Sequence, residues 1–175
     1  MSLSSEGTPQ QVAFEQLVAE YGDRVFGIAL RITGSPSDAE DAMQDAFLSA
    51  YRAWPQFRAE SSPTTWLYRI AVNAALQRAR TRDDHLVERD EELAQIVDWT
   101  ADAESATVRA ELHAQIEQAI ALLPEVLRVT LVLRDLEGLS TAEAATVLDV
   151  SEAAVKSRLH RARAVLRRHL QEFLA

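Results

Sequence analysis

Apolar side chains in the first third of the chain recur at intervals of three and four residues, the spacing of a helix with one buried face. Phe14, Leu17, Val18, Tyr21, Val25, Ile28 and Ile32 make one such row, and Gly34 supplies its C-terminal stop. Pro36 and Ser37 restart the chain, and the Ser37/Glu40 pair has the spacing of a capping box. Met43, Phe47, Ala50 and Trp54 then predict the buried stripe of a second helix, closed by Pro55. Ser62 is a good N-cap and Pro63 suits the first helical position, so a third helix is predicted from there to about Arg80. Nothing between these helices reads as a strand.

From 83 to 104 the chain is acidic with scattered apolar residues, which predicts a linker with some helix in it. Helical spacing resumes at Val108, Leu112, Ile116, Ile120 and Leu123, and breaks at Pro124. It continues through Val126, Leu127, Leu131 and Leu136 to a stop at Gly138. Ser140 and Glu143 form a capping box before a short helix to Leu148, and Ser151 caps a long helix to about Leu170. The expected fold is all-α, with two small helical domains at 10–82 and 108–175 joined by an acidic linker at 83–107.

Charge changes the picture once it is counted by segment. The formal net charge of −9 argues by itself against a nucleic-acid partner, which normally needs a basic surface. Residues 83–112 alone carry 2 basic and 10 acidic side chains, whereas 113–175 carry 8 of each. Within the latter, Lys156, Arg158, Arg161, Arg163, Arg167 and Arg168 fall in a stretch with no acid, a local basic patch on a nearly neutral domain. The absence of cysteine excludes disulfides, thiolate metal sites and a thiol nucleophile. His85, His113, His160 and His169 show no ligand spacing, and no phosphate-cradling glycine loop occurs, so neither a metal nor a cofactor is expected. The first ten residues lack a basic-then-apolar leader and no run reaches the roughly 18 apolar residues of a membrane span, which leads us to expect a cytoplasmic protein without membrane insertion.

The stretch STAEAATVLDVSEAAVKSRLHRAR at 140–163 has the length pattern of a helix-turn-helix. In its second helix Val155, Leu159, Ala162 and Leu166 share one side, while Lys156, Ser157, His160 and Arg161 fall together on another. Lys and Arg read guanine edges in a major groove, and Ser and His offer shorter hydrogen bonds. Arg158 and Arg163 flank that face and suit phosphates. Asp149 stands at the turn where glycine is common, a position that Asp tolerates.

FRAESSPTTWLYRIAVNAA at 57–75 and LPEVLRVTLVLRDLEGLSTAEAATVLDVSEAAVKSRLHRAR at 123–163 together resemble the extracytoplasmic-function sigma factors. The resemblance covers most of 14–82 and 108–170 and implies a non-catalytic initiation factor: an N-terminal domain that holds the core RNA polymerase clamp and opens the minus-ten element, and a C-terminal domain that reads the minus-thirty-five element of promoter DNA. Asp41, Gln44 and Asp45 match the family's clamp-contact positions, and helical spacing places them on one side with Leu48. Trp66, Arg69, Asn73, Gln77 and Arg80 lie along one side of the third helix opposite Leu67, Ala71 and Ala74, an exposed aromatic, an amide and guanidiniums that suit unpaired bases. The resemblance implies that Asn73 and the loop at 57–62, with Phe57, Arg58 and Ser61, form the pocket for a base flipped from the minus-ten element. This loop departs from the family, with Ala59 and Glu60 where Gly-Asp is frequent, and Ala153 and Ala154 stand where Gly and Thr are frequent. The family also implies an anti-sigma factor as a partner.

Two other readings compete. A stand-alone helix-turn-helix regulator with an N-terminal sensor or partner domain would share the C-terminal half, but would not need the WLYRIAVN segment or the acidic helix before it. A helical enzyme has no nucleophile, metal or phosphate motif to support it.

Overall fold

The computed structural model describes residues 9–86 and 107–174, and the described residues form helices and no strand. The N-terminal half consists of α1 (Pro9–Thr33), α2 (Pro36–Ala53), a 3-10 turn (Trp54–Gln56) and α3 (Pro63–Leu86). α4 (Thr107–Ala121), α5 (Glu125–Leu131), a π-helical turn (Val132–Leu136), α6 (Thr141–Leu148) and α7 (Glu152–Leu174) make the C-terminal half. Residues 87–106, the greater part of the expected linker, lie outside the described residues. Its first four positions are not linker, because α3 runs on to Leu86, six residues past the expected end at Arg80. No glycine or proline stands in that stretch to stop it.

The restart after α1 differs from the expectation. Gly34 takes the left-handed conformation at φ +68, as a helix stop requires, but the N-cap of α2 is Ser35, whose hydroxyl accepts from the Asp38 amide at 3.3 Å. Pro36 occupies the first helical position and Ser37 is already inside the helix. Ser35 wins because Pro36 pre-sets the helical φ while lacking an N–H that would otherwise be left unpaired. Its inward stripe is also smaller than expected: Ala39, Ala42, Ala46 and Ala50 are fully buried, with Met43, Phe47 and Trp54 packed half-buried alongside. Alanine at every turn lets α1 and α3 approach α2 closely, and burial of Val25, Ile28, Leu67, Tyr68 and Val72 fills the centre.

The C-terminal half follows the expected punctuation. Pro124 breaks the chain before α5, Gly138 ends the π turn with φ +72, and Asp149 takes the left-handed conformation at φ 52 between α6 and α7. Val132, Leu133, Val147, Val155, Leu159 and Ala162 build its core, whereas Leu112 and Leu136, read as part of the apolar rows, are 40% and 44% exposed. The two halves pack on each other, α3 against α6 and α1 against α5, and their buried apolar residues form one continuous cluster.

Candidate nucleic-acid interface

The short helix α6 is fixed at its start by a complete capping box. The Ser140 hydroxyl accepts from the Glu143 amide at 3.1 Å, and the Glu143 carboxylate accepts from the Ser140 amide at 2.8 Å. That backbone donor, joined by the Ser140 hydroxyl, holds the Glu143 carboxyl below its ordinary range. The Ser151 hydroxyl caps α7 by accepting from the Ala154 amide at 3.2 Å. Burial of Val155, Leu159 and Ala162 sets the rotation of α7, and with Leu166 half-buried this is the expected inner side. Lys156, Ser157, His160 and Arg161 consequently stand exposed together, with Arg158 half-buried beside them.

Arg163 is exposed but occupied. Its Nε and Nη2 donate to Asp135 Oδ2 and Oδ1 at 2.8 and 2.6 Å, a bidentate pair that ties α7 to the π turn and raises the Arg163 pKa. Arg163 is therefore a strut within the domain as well as a cation near the exposed polar side of α7. An open cleft of about 340 Å³ lies beside it, lined by Arg134, Thr141, Lys156, His160, Arg163 and Arg167 together with two apolar side chains. Arg134 and Thr141 were not singled out from the sequence, and Arg167 was read there only as part of the basic stretch. Arg167 had a legible signal, four residues after Arg163, whereas Arg134 and Thr141 reach this place only through the fold.

On α3 the polar row is present as spaced: Arg69, Asn73, Gln77 and Arg80 are all exposed. Trp66 departs from the expectation of an exposed aromatic. It is half-buried in a ring cluster, 5.1 Å from Phe57 and 5.8 Å from Trp54, while Trp54 and Phe57 stack at 5.4 Å with planes 5° apart. The rings form the floor under the 57–62 loop, in which Arg58 is exposed, Phe57 and Ser61 are half-buried, and Ser62 caps α3 by accepting from the Thr65 amide at 3.1 Å. Ala59 in this loop has φ 55, a conformation that costs a residue with a Cβ about 1–2 kcal/mol. Glycine, frequent here in the family the chain resembles, would bear no such cost.

Asp41, Gln44, Asp45 and Leu48 do share one side of α2, with Leu48 54% and the neighbouring Tyr51 51% exposed. The two carboxylates are not free of partners within the chain. Arg78 of α3 donates from Nη1 to Asp41 at 3.1 Å and from Nε and Nη2 to Asp45 at 3.1 and 2.7 Å. The bond to Asp45 is the first cause of the raised Arg78 pKa. Arg78 and Tyr51 are the residues of this face that sequence reasoning missed. The Arg78 pairing spans 33 and 37 residues, so no local spacing could disclose it. Among the described residues no group of three or more His, Cys, Asp or Glu could hold a metal ion, and no helix is long and apolar enough to cross a membrane.

Two exposed polar and cationic helix faces, one in each half, thus accompany an acidic and apolar α2 surface. Residues 17–85 match sigma-70 region 2 and residues 113–166 match sigma-70 region 4. The RNA polymerase sigma-H factor of Pseudomonas aeruginosa is 39% identical over 170 residues, covering 93% of this chain and 88% of that protein. SigW of Bacillus subtilis, an extracytoplasmic-function sigma factor, is 35% identical over 93% of this chain and 91% of its own length. Among solved structures, CnrH in complex with the cytosolic domain of CnrY is similar with a TM-score of 0.66 and 30% identity, covering 93% of this chain and 90% of that one. The sigma factor RpoE of Bartonella quintana, bound to the anti-sigma factor NepR, has the same fold with a TM-score of 0.78 at 22% identity, over 91% of this chain and 97% of that one. The N-terminal half is accordingly no unrelated sensor domain, and with both halves matched in order over most of its length the chain belongs to the extracytoplasmic-function group of sigma-70 RNA polymerase sigma factors.

Proposed function

We propose that this sigma factor binds core RNA polymerase through α2, directs it to promoters with two DNA-reading helices, and assists strand opening at the minus-ten element. The observation that carries this reading is the pairing of two exposed helix faces of different chemistry in one chain. On α7, Lys156, Ser157, His160 and Arg161 offer base-edge donors and acceptors to a major groove of the minus-thirty-five element, with Arg158 and Arg163 toward phosphates. On α3, Arg69, Asn73, Gln77 and Arg80 lie beside the Trp54, Phe57 and Trp66 rings, a surface for an unstacked base whose extrusion costs a few kcal/mol. Asp41, Gln44, Asp45 and Leu48 present an acidic and apolar face suited to a basic surface of the polymerase clamp. The units of this division of labour are 10–82 and 108–175, with the acidic segment between them as a tether that repels DNA. In this reading the chain supplies no catalytic group of its own and works in the cytoplasm, where the polymerase is. Of two similar solved structures, RpoE is bound to an anti-sigma factor and CnrH to the cytosolic domain of CnrY, which supports a protein partner of the anti-sigma kind for this chain.

Reconstitution with core RNA polymerase tests the reading. The holoenzyme selects a defined two-element motif from random duplex DNA, and permanganate detects unpaired thymines at its minus-ten end. Failure of the chain to associate with core polymerase overturns the proposal.

A further inference from the structure

The acidic face of α2 is built around a cation that α2 does not supply. Asp41 and Asp45 stand one helical turn apart, a spacing at which two like charges repel. Arg78 of α3 reaches both: its Nη1 donates to Asp41 Oδ2 at 3.1 Å, and its Nε and Nη2 donate to Asp45 Oδ2 at 3.1 and 2.7 Å. Each carboxylate is thus bound through Oδ2, and among the described residues neither Oδ1 accepts a hydrogen bond. Arg163 on α7 ties a single carboxylate, Asp135, whereas Arg78 ties two. Stability does not account for the arrangement. The Arg78 side chain is 39% exposed and each aspartate 50%, and ion pairs at such a surface contribute little to folding. What a planar guanidinium does there is fix geometry, because its fork sets the direction and the separation of the acids it holds. Leu48 and Tyr51, both more than half exposed, flank the trio on α2.

We infer that Arg78 is a positioning residue of the surface proposed to meet core polymerase: it holds the Asp41 and Asp45 carboxylates at one separation with Oδ1 of each left for the partner, so that this face selects two cations set at that separation over a diffuse basic patch. This role rests on the assignment of that face to the polymerase clamp. Two opposing effects decide its sign. Asp41, Asp45 and Arg78 together carry −1 where the acids alone would carry −2, so Arg78 weakens the attraction of a basic partner. In water one unit charge at about 6 Å changes affinity by about threefold at most, and by less at physiological salt. Against this, carboxylates that are already ordered spare the cost of immobilising them on binding, which is worth about tenfold for the pair. Ordering outweighs attraction. Loss of Arg78 therefore leaves association as fast or slightly faster and speeds dissociation by more.

Association and dissociation rates of the full chain with core polymerase, measured on immobilised polymerase, test this. Arg78→Gln removes the charge and the fork while keeping a good helix former on α3, and is expected to dissociate about tenfold faster than wild type while associating no more slowly. Arg78→Lys restores the charge, but a compact ammonium on a flexible stem does not hold two carboxylates in one plane, so it dissociates nearly as fast as Arg78→Gln. In a chain carrying Asp41→Asn and Asp45→Asn, Arg78→Gln has no further effect, an outcome that a purely structural role for Arg78 would not produce. Circular dichroism on every variant separates lost contact from lost fold, and Arg78→Lys decides alone if Arg78→Gln loses helix content. Wild-type dissociation of Arg78→Gln, tighter binding by it, or full rescue by Arg78→Lys overturns the positioning role. If Asp41→Asn with Asp45→Asn keeps wild-type affinity, the clamp assignment falls and the role of Arg78 with it. Weakened binding of that pair, with no effect of Arg78→Gln, overturns Arg78 and leaves the clamp assignment standing.

Discussion

Asn73 is exposed on α3 between Arg69 and Gln77, and its amide offers both a donor and an acceptor to a base edge, which no apolar neighbour can replace. Its effect is expected after initial DNA contact, where it offsets part of the cost of unstacking. Asn73→Ala keeps core association and duplex promoter binding but slows opening, and a template already mismatched at the minus-ten element partly rescues it. Permanganate footprinting on both templates measures this, and equal loss of duplex binding would mark Asn73 as a structural residue instead. On α7 the structure separates residues of one charge. Arg161 is exposed on the side of α7 proposed to face the groove, so Arg161→Ala is expected to cost about 1–3 kcal/mol and to flatten preference at one or two promoter positions. Arg158→Ala weakens all sequences alike and lowers the salt slope by about one. Selection from a random-sequence pool distinguishes the two, and an unchanged motif for Arg161→Ala rejects the face assignment.

At the level of the element, the helix-turn-helix depends on a capping box and one left-handed residue. Ser140→Ala removes the hydroxyl that accepts from the Glu143 amide and should destabilise the domain by about 1 kcal/mol, read by chemical denaturation. The reciprocal bond carries a pH dependence. A carboxyl whose folded pKa is lowered stabilises the fold at pH above its unfolded value of about 4.3, and that stabilisation is lost as pH falls through the lower folded value. Glu143→Gln should flatten this acid limb of the denaturation profile, and an unchanged limb would mean that other carboxyls dominate it. Asp149, at φ 52, spends conformational energy that glycine does not. Asp149→Gly should stabilise α6 and α7 by about 0.5–1 kcal/mol and Asp149→Val should destabilise them by at least as much, with thermal unfolding as the check. The same comparison exposes what helical spacing leaves open. It located seven helices, yet it put the α2 cap two residues late because a serine stands at both 35 and 37 and only the Pro36 backbone decides between them.

Across the whole molecule the surface proposed to meet the polymerase clamp is a joint product of α2 and α3, because Arg78 holds Asp41 and Asp45 together. Reversing both acids to arginine would therefore set three guanidiniums against each other and disturb α2–α3 packing along with core binding. Leu48 gives the cleaner experiment, since it is 54% exposed and outside the buried cluster. Leu48→Asp should lower core polymerase affinity in a pull-down while changing folding stability by no more than about 0.5 kcal/mol. Unaltered affinity would remove Leu48 from the contact. The chain's punctuation and periodicity, with Gly34, Pro55, Pro63, Pro124, Gly138 and Ser140 at the element ends, were enough to determine an all-α chain in two halves, and the spacing of Lys156, Ser157, His160 and Arg161 determined the outward face of α7. These are local properties, set within a few residues by backbone preference and by the turn of the helix. Tertiary structure alone decided that Trp66 lies half-buried on Phe57 and Trp54, that Arg163 is spent partly on Asp135, that Arg78 bridges two acids, and that four carboxylates of one half meet donors of the other. Each of those outcomes depends on side chains brought together by the packing of apolar faces, at sequence separations over which spacing carries no information.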